Sequence, residues 1–259
     1  MGKVLSGGRK DGGFVQNLIL IGSGGCMREL LWQIEESKKE CPIWMGQNGN
    51  GAIGRGLDGN ATTAVWNVLG YVDRRSQGDN GVFDIFAGNT CCPYLGDDDY
   101  LLSMQQETNV VVSVGEPQLR KKIAEKLKRN PNLKFPNLIL GDARICSDLK
   151  MGQGCIISMG SRVSTNVTFG DFVFLNMGTV VCHDGNIGDF CTLSPEVTLA
   201  GQVTMGDECD LGMGTKVIQG IHIGNRVIAG AGSVVTRDVE DGCTVVGVPA
   251  KRMEHPNSY

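Results

Sequence analysis

Apolar residues recur at every sixth position from Ile139 to Val235, through Ile145, Met151, Ile157, Val163, Phe169, Leu175, Val181, Ile187, Leu193, Leu199, Met205, Leu211, Val217, Ile223 and Ala229. The register never slips over these seventeen hexads. Four residues after most of them stands a small or β-branched residue, among them Cys155, Ser161, Val167, Thr179, Cys191, Val203, Cys209 and Thr215. A period of six fits neither an α-helix nor an ordinary sheet, whose periods are 3.6 and 2. If three hexads make one triangular coil, every sixth side chain points inward, and stacked coils bury one continuous column. Between five and six coils at the spacing of neighbouring strands predict a prism about 25 to 30 Å long. Glycine often follows the apolar residue, as in Met151-Gly152, Ile187-Gly188 and Ile223-Gly224. These glycines are expected to supply the unusual φ values of tight corners.

The chain before residue 137 follows another pattern. Asn17 to Ile21 reads as a buried strand, Gly22-Ser23-Gly24-Gly25 as a tight turn, and Cys26 to Ser37 as a helix. Strand, glycine turn and helix open a βαβ unit, and the turn offers bare amides to phosphate at a helix N-terminus. A second strand, Ala64 to Val72, runs into Asp73-Arg74; a third, Asn109 to Val114, runs into Gly115 and a basic helix, Gln118 to Arg129. Three strands ending in Gly, Asp and Gly predict one ligand crevice. The expected layout is a disordered tail (1–16), a Rossmann-like domain (17–136) with a flexible glycine-rich insertion (46–61), a β-helix (137–253) and a short tail (254–259).

Composition narrows the function classes. The formal net charge is −4, which does not recommend nucleic acid or an anionic membrane. No run of eighteen apolar residues and no charged-then-apolar leader occurs, so a soluble cytoplasmic protein is expected. None of the ten cysteines forms a Cys-x-x-Cys, and Cys155, Cys191 and Cys209 fall on the small inward position. They read as buried thiols rather than as metal ligands or disulfides.

Because hexad positions are committed to packing, chemistry is expected where the repeat is violated. The sharpest violation is Val181-Cys182-His183-Asp184-Gly185, where the inward position is Gly and an imidazole stands beside a carboxylate. A histidine with an acidic partner suits proton transfer near neutral pH. Of the other two histidines, His222 has no acidic neighbour and His255 lies in the tail after the last repeat.

Around that violation the chain resembles the sialic-acid O-acetyltransferase and UDP-4-amino-sugar N-acetyltransferase family (NeuD/PglD-like). The resemblance rests on Asn176 to Phe190, Leu193-Ser-Pro195, Leu199-Ala-Gly201, Gly230 to Asp238 and Val246 to Met253, and upstream on Ile19 to Gly25, Gly70 to Asp73 and Val114 to Lys122. It implies an α/β Rossmann-like N-terminal domain, an all-β left-handed parallel β-helix, a homotrimer with active sites between subunits, and acetyl transfer from acetyl-CoA, without a metal, to a sugar held between the two domains. In such enzymes the residue matching His183 is the general base and the one matching Asp184 raises its basicity. Asn176 matches a residue that positions the sugar amine. Gly22, Ser23, Gly24, Gly25 and Asp73 match the nucleotide-sugar pocket, to which Cys26, Arg74 and Gly115 are assigned by position although Cys26 and Arg74 are unlike the family's patterns, and Thr192, Gly201, Met213, Gly230, Ala231 and Lys251 are assigned to the coenzyme side. Two departures stand out: many members carry a His where this chain has Cys26, and another where it has Thr192. O-acetylation of sialic acid or another hydroxyl acceptor, and a non-catalytic trimeric scaffold, are the competing readings. A γ-type carbonic anhydrase would need three His ligands, and the repeats hold two.

Overall fold

The structure is a computed structural model that describes residues 15–40, 65–74 and 84–254. The glycine-rich insertion at 46–61, residues 1–14 of the N-terminal tail and residues 255–259, His255 included, lie outside the described residues. The described residues group into two units: those up to 114 with 124–136, and 115–123 with 137–254. The second grouping departs from the single boundary expected after residue 136.

In the first unit, β1 (Val15–Ile21), β2 (Val65–Val72), β5 (Tyr94–Gly96), β6 (Thr108–Val112) and β7 (Leu133–Lys134) form a parallel sheet in the order β5-β2-β1-β6-β7. A small antiparallel hairpin, β3 (Ile85–Ala87) and β4 (Thr90–Cys92), and the short helix α2 (Asp98–Leu102) fill the connection between β2 and β6. Leu18 to Ile21 and Val110 to Val112 are buried without alternation, as strands covered on both faces must be. Helix α1 (Gly25–Glu40) buries Met27, Leu30, Leu31 and Ile34, one stripe at helical spacing. β1 begins at Val15, inside the segment expected to be a tail. The basic helix is α3 (Pro117–Leu127).

The second unit is the stacked prism. Seventeen two-residue strands, β8 (Leu138–Ile139) to β24 (Val234–Val235), recur every six residues, each ending on a hexad position. They form three parallel sheets whose neighbours are eighteen residues apart, such as Phe174 with Thr192 and Val180 with Thr198. Three hexads therefore make one coil. Ile157, Leu175, Leu193, Leu199 and Leu211 are fully buried, and so are Cys155, Cys191 and Cys209 four residues after hexad positions. Burial pushes the Cys155 thiol up to about 12, so it stays protonated and packs as a small hydrophobe. The last coil is two residues short: Val239 bridges Ile223, and β25 (Thr244–Val246) pairs with β23 (Ile228–Ala229) at a separation of sixteen. β26 (Lys251–Arg252) turns back antiparallel on β25.

The corners differ from expectation. Positive φ falls on the third residue after each hexad position, from Gly154 to Gly232, and eight of these fourteen corner residues are not glycine, Asp184 and Phe190 among them. The glycines directly after the hexad residue serve close approach. A Cβ at Gly188 would overlap Asp207 Oδ1 and lie 2.7 Å from the Gly206 carbonyl carbon. The space is needed because Asp and Asn carboxyl or amide oxygens climb this corner as a ladder. Asp171 N donates to Asp189 Oδ1 (2.7 Å), Asp189 N to Asp207 Oδ1 (2.8 Å), Asp207 N to Asn225 Oδ1 (2.9 Å) and Asn225 N to Asp241 Oδ1 (2.8 Å). Each oxygen satisfies an amide that the two-residue strands leave unpaired. Gly188→Ala should therefore cost about 1 to 3 kcal/mol, the range for overpacking, read as a lower urea midpoint with an unchanged slope.

Candidate active site

His183 stands at a corner of the prism two residues past Val181, the end of β15 (Val180–Val181). A strand continuing straight would send His183 and Asp184 to opposite faces. Here Asp184 adopts φ +60°, held by its amide donating to the Thr165 carbonyl (3.2 Å), and the turn returns its carboxylate to the imidazole. His183 Nδ1 and Asp184 Oδ2 are 2.8 Å apart. The carboxylate therefore accepts from Nδ1–H and leaves Nε2 with its lone pair free to take a proton. Both side chains are about half exposed, so an incoming substrate can reach them.

Two further features fix this pair. The Asn166 amide, one coil earlier, donates to Asp184 Oδ1 (2.6 Å). That bond, with the one to His183, holds the Asp184 carboxyl below its usual range, so it remains the anion an imidazolium needs. One coil later, buried Gly201 provides the floor: a Cβ there would meet the ring, with Nε2 at 2.5 Å and Nδ1 at 3.0 Å. Gly201, matched by resemblance to the coenzyme side, is thus seated under the His183 ring. Gly201→Ala should displace the imidazole and lower kcat by roughly 10 to 100-fold, the scale of a 1 Å misplacement, with little change in Tm; the check is paired kinetics and thermal unfolding.

Cys182 is half-buried and free, and it lines an open groove of about 300 Å³ with Arg144, Arg162 and Val180. Asn176 lies one corner away from His183 in the same coil, and its Oδ1 accepts from the Met177 amide (2.7 Å). Met213 and Ala231 stack on that same corner line, eighteen residues apart, and both are exposed. Gly230 lies beside Ala231, where a Cβ would meet Val246 at 2.7 Å, and Lys251 is exposed on β26. Within one chain, the His183 corner and the Met213 corner are different edges of the prism.

Thr192 and Gly115 come together, in a way the sequence did not suggest. Arg120 is 1% exposed and packs against the sheet that contains β14 (Phe174–Leu175) and β17 (Thr192–Leu193). Its guanidinium donates to the carbonyls of Phe172 (3.0 Å), Gly115 (2.8 Å), Phe190 (2.7 Å) and Cys191 (3.1 Å) and to Thr192 Oγ1 (2.9 Å). Thr192 Oγ1 donates in turn to the Gly115 carbonyl (2.5 Å). The Thr192 hydroxyl is thus spent inside the chain and is not presented to a coenzyme. Nearby, Lys121 pairs with Glu208 (2.6 Å), and the Phe172 and Phe190 rings stack at 5.1 Å. This clamp is why residues 115–123 group with the prism.

In the first unit, Gly22 takes φ +111° as the chain leaves β1, and its amide donates to the Val72 carbonyl (2.8 Å), tying the ends of β1 and β2. Gly24 and Gly25 are exposed at the start of α1, with open space where a Cβ would lie, and Ser23 and Cys26 are half-buried beside them. Asp73 follows β2, its amide bonded to the Gly96 carbonyl (3.1 Å). Arg74 Nε pairs with buried Asp98 (2.5 Å), which also holds Lys126 (2.9 Å). Burial works to raise the Asp98 carboxyl, but the two cations win and hold it below its usual range. Among the described residues no three His, Cys, Asp or Glu side chains gather as a metal site, and no helix is long and apolar enough to cross a membrane.

In sequence and fold the chain is similar to known proteins. The PglD N-terminal domain family matches residues 57–127. The acetyltransferase domain of PglB from Neisseria gonorrhoeae FA1090, solved with acetyl coenzyme A, is 27% identical, with 92% of this chain and 99% of that one covered and a TM-score of 0.72. PerB from Caulobacter crescentus, solved with CoA and GDP-perosamine, is 28% identical over 92% of this chain and 97% of that one, with a TM-score of 0.71. No curated protein matches the sequence. With a parallel α/β N-terminal domain, a parallel β-helix and nearly full-length likeness to these enzymes, the chain is similar to the NeuD/PglD-like hexapeptide-repeat sugar acetyltransferases, of which PglB was solved with acetyl coenzyme A.

Proposed function

We propose that this protein moves acetyl from acetyl-CoA to the amine of a nucleotide-linked 4-amino sugar, with His183 as general base and no acyl-enzyme. The observation that carries this reading is the His183–Asp184 pair, 2.8 Å apart on an exposed corner above a glycine floor. His183 Nε2 takes the proton from the acceptor nitrogen as that nitrogen attacks the thioester carbonyl; the tetrahedral intermediate then collapses, expelling the CoA thiolate. Asp184 stays ionised and stabilises the imidazolium. Backbone amides at a neighbouring corner are the candidate donors to the oxyanion. The likeness to PerB, which was solved with GDP-perosamine, supports an amine on a nucleotide sugar over a free sialic acid. Gly22, Ser23, Gly24, Gly25, Cys26 and Asp73 are the proposed nucleotide-sugar contacts, joined by Asn176 near the amine. Arg74, already paired with Asp98, would offer its remaining guanidinium donors to phosphate.

On the coenzyme side, exposed Met213 and Ala231 form a low ridge suited to a pantetheine arm, Gly230 keeps that corner shallow, and Lys251 supplies a cation for phosphate. Because these residues and His183 occupy different edges of one prism, a complete site requires a second subunit, and we propose the homotrimer. One sheet lies under Arg120 and a second presents Lys150, Thr168, Asn186 and Thr204 with the ladder glycines, so the third, which presents Arg144, Arg162, Val180, Thr198, Lys216 and Val234, is the face left for a partner. The use of acetyl-CoA supports placing the reaction in the cytoplasm.

The test is to incubate the protein with acetyl-CoA and a panel of UDP-, dTDP- and GDP-linked 4-amino sugars plus sialic acid, and to follow free CoA. Release with at least one nucleotide-linked amine and none with sialic acid is expected. Release with sialic acid alone would favour O-acetylation, and no release with any acceptor would favour a scaffold.

A further inference from the structure

Behind the His183–Asp184 pair the same corner carries two more polar side chains at the eighteen-residue spacing of the coils. Asn166 Nδ2 donates to Asp184 Oδ1 at 2.6 Å. The Asn166 amide nitrogen donates to Asp148 Oδ2 (3.0 Å), and Thr165 Oγ1 donates to the same oxygen (2.5 Å). Asn166 itself sits at φ +54°, a conformation asparagine tolerates better than other non-glycine residues. All of these groups are exposed, so burial does not explain the arrangement. A solvated carboxylate bonded only to its neighbouring imidazole would rotate freely and release it.

We infer that Asn166, steadied by Asp148, is a positioning residue that locks the Asp184 carboxylate and thereby sets the tautomer of His183. With Oδ1 held by the Asn166 amide, Oδ2 is fixed toward Nδ1, so the ring proton sits on Nδ1 and the lone pair on Nε2. Its side-chain amide bonds the carboxylate rather than the ring, so it acts through Asp184. The inference rests on His183 being the base, but the experiment reads the ring directly and needs no acceptor.

The full-length chain, labelled with ¹⁵N-histidine, is measured by long-range ¹H–¹⁵N correlation above the imidazole titration, with His183→Ala assigning the His183 signals. The wild type should show His183 mainly as the Nδ1–H tautomer. Asn166→Gly keeps the corner conformation and removes the amide, and should shift His183 toward the Nε2–H form that free imidazole side chains favour in water. Asn166→Asp, of the same shape but acceptor-only, should shift it at least as far, and serves if the glycine variant folds poorly. A tautomer ratio unchanged from wild type in a folded variant overturns the inference. An active His183→Ala enzyme would instead remove the functional reading and leave the tautomer result standing.

Discussion

His183→Ala is expected to lower kcat by roughly 10² to 10⁴, the contribution typical of a positioned general base, while the KM for acetyl-CoA and the thermal unfolding of the β-helix stay close to wild type. The structural half of this expectation follows from exposure. His183 projects from a corner, about half exposed, and only the Gly201 backbone lies beneath it, so its loss leaves no cavity in the core column. The kinetic half follows from the pair's geometry: Asp184 fixes Nδ1–H, Nε2 is the free acceptor, and no described cysteine shares that corner position to replace it. Asp184→Asn should fall between wild type and His183→Ala, because the amide preserves the contact but loses the charge that stabilises the imidazolium. Steady-state kinetics with CoA release, alongside a melting curve, checks all three proteins. A His183→Ala enzyme with wild-type kcat would sink the assignment.

Arg120→Leu is expected to destabilise the second unit by about 3 to 5 kcal/mol, the cost of breaking a buried charged network by removing one partner. The leucine fills part of the volume, yet the shielded carbonyls of Phe172 and Phe190 lose the Arg120 donor, and those of Gly115 and Cys191 are left with Thr192 Oγ1 and the Phe174 amide respectively. Asp210 adds to the loss. Burial already raises its carboxyl above the usual range and Arg120 is the cation that opposes this, so the variant leaves a half-buried acid with weaker compensation. Arg120→Lys should lie in between, since an ammonium keeps the charge but cannot span five acceptors with a planar fork. Urea unfolding followed by circular dichroism measures the effect, and hydrogen exchange over residues 115–123 should rise in step. A midpoint within error of wild type for Arg120→Leu would show that the clamp contributes nothing.

The two outcomes draw on parts of the molecule that were unequally legible in the sequence. The β-helix was plain because its period of six comes from packing alone: a residue such as Leu193 must face inward whatever its surroundings. The identity of the corner residues was less plain. Gly188 and Gly206 were visible, but a glycine can answer a need for positive φ or a need for space, and only coordinates show Asp207 in that space. The ladder did leave a trace, an Asp or Asn after the glycine at 171, 189, 207 and 225, which eighteen-residue spacing could have exposed.

His183 stood out because it interrupts the pattern, whereas Gly201, eighteen residues on, obeys nothing that marks a floor for a ring. In the sequence Arg120 is one more cation on a basic helix. Its burial depends on carbonyls at 172, 190 and 191, partners that no local pattern reveals. The elements between β2 and β6 leave no periodic trace, since strands of three residues and a helix of five are too short to show a period.

The most direct measurement is the identity of the acetylated atom in the product. The protein is incubated with acetyl-CoA and a nucleotide-linked 4-amino sugar, GDP-perosamine first and the rest of the acceptor panel after it, and the product is read by mass and by ¹H–¹⁵N correlation. An amide proton on the sugar nitrogen, formed by wild type and lost with His183→Ala, is the predicted result. Acetyl found on an oxygen, or no acetyl transferred to any amine by an enzyme that still folds, would contradict it.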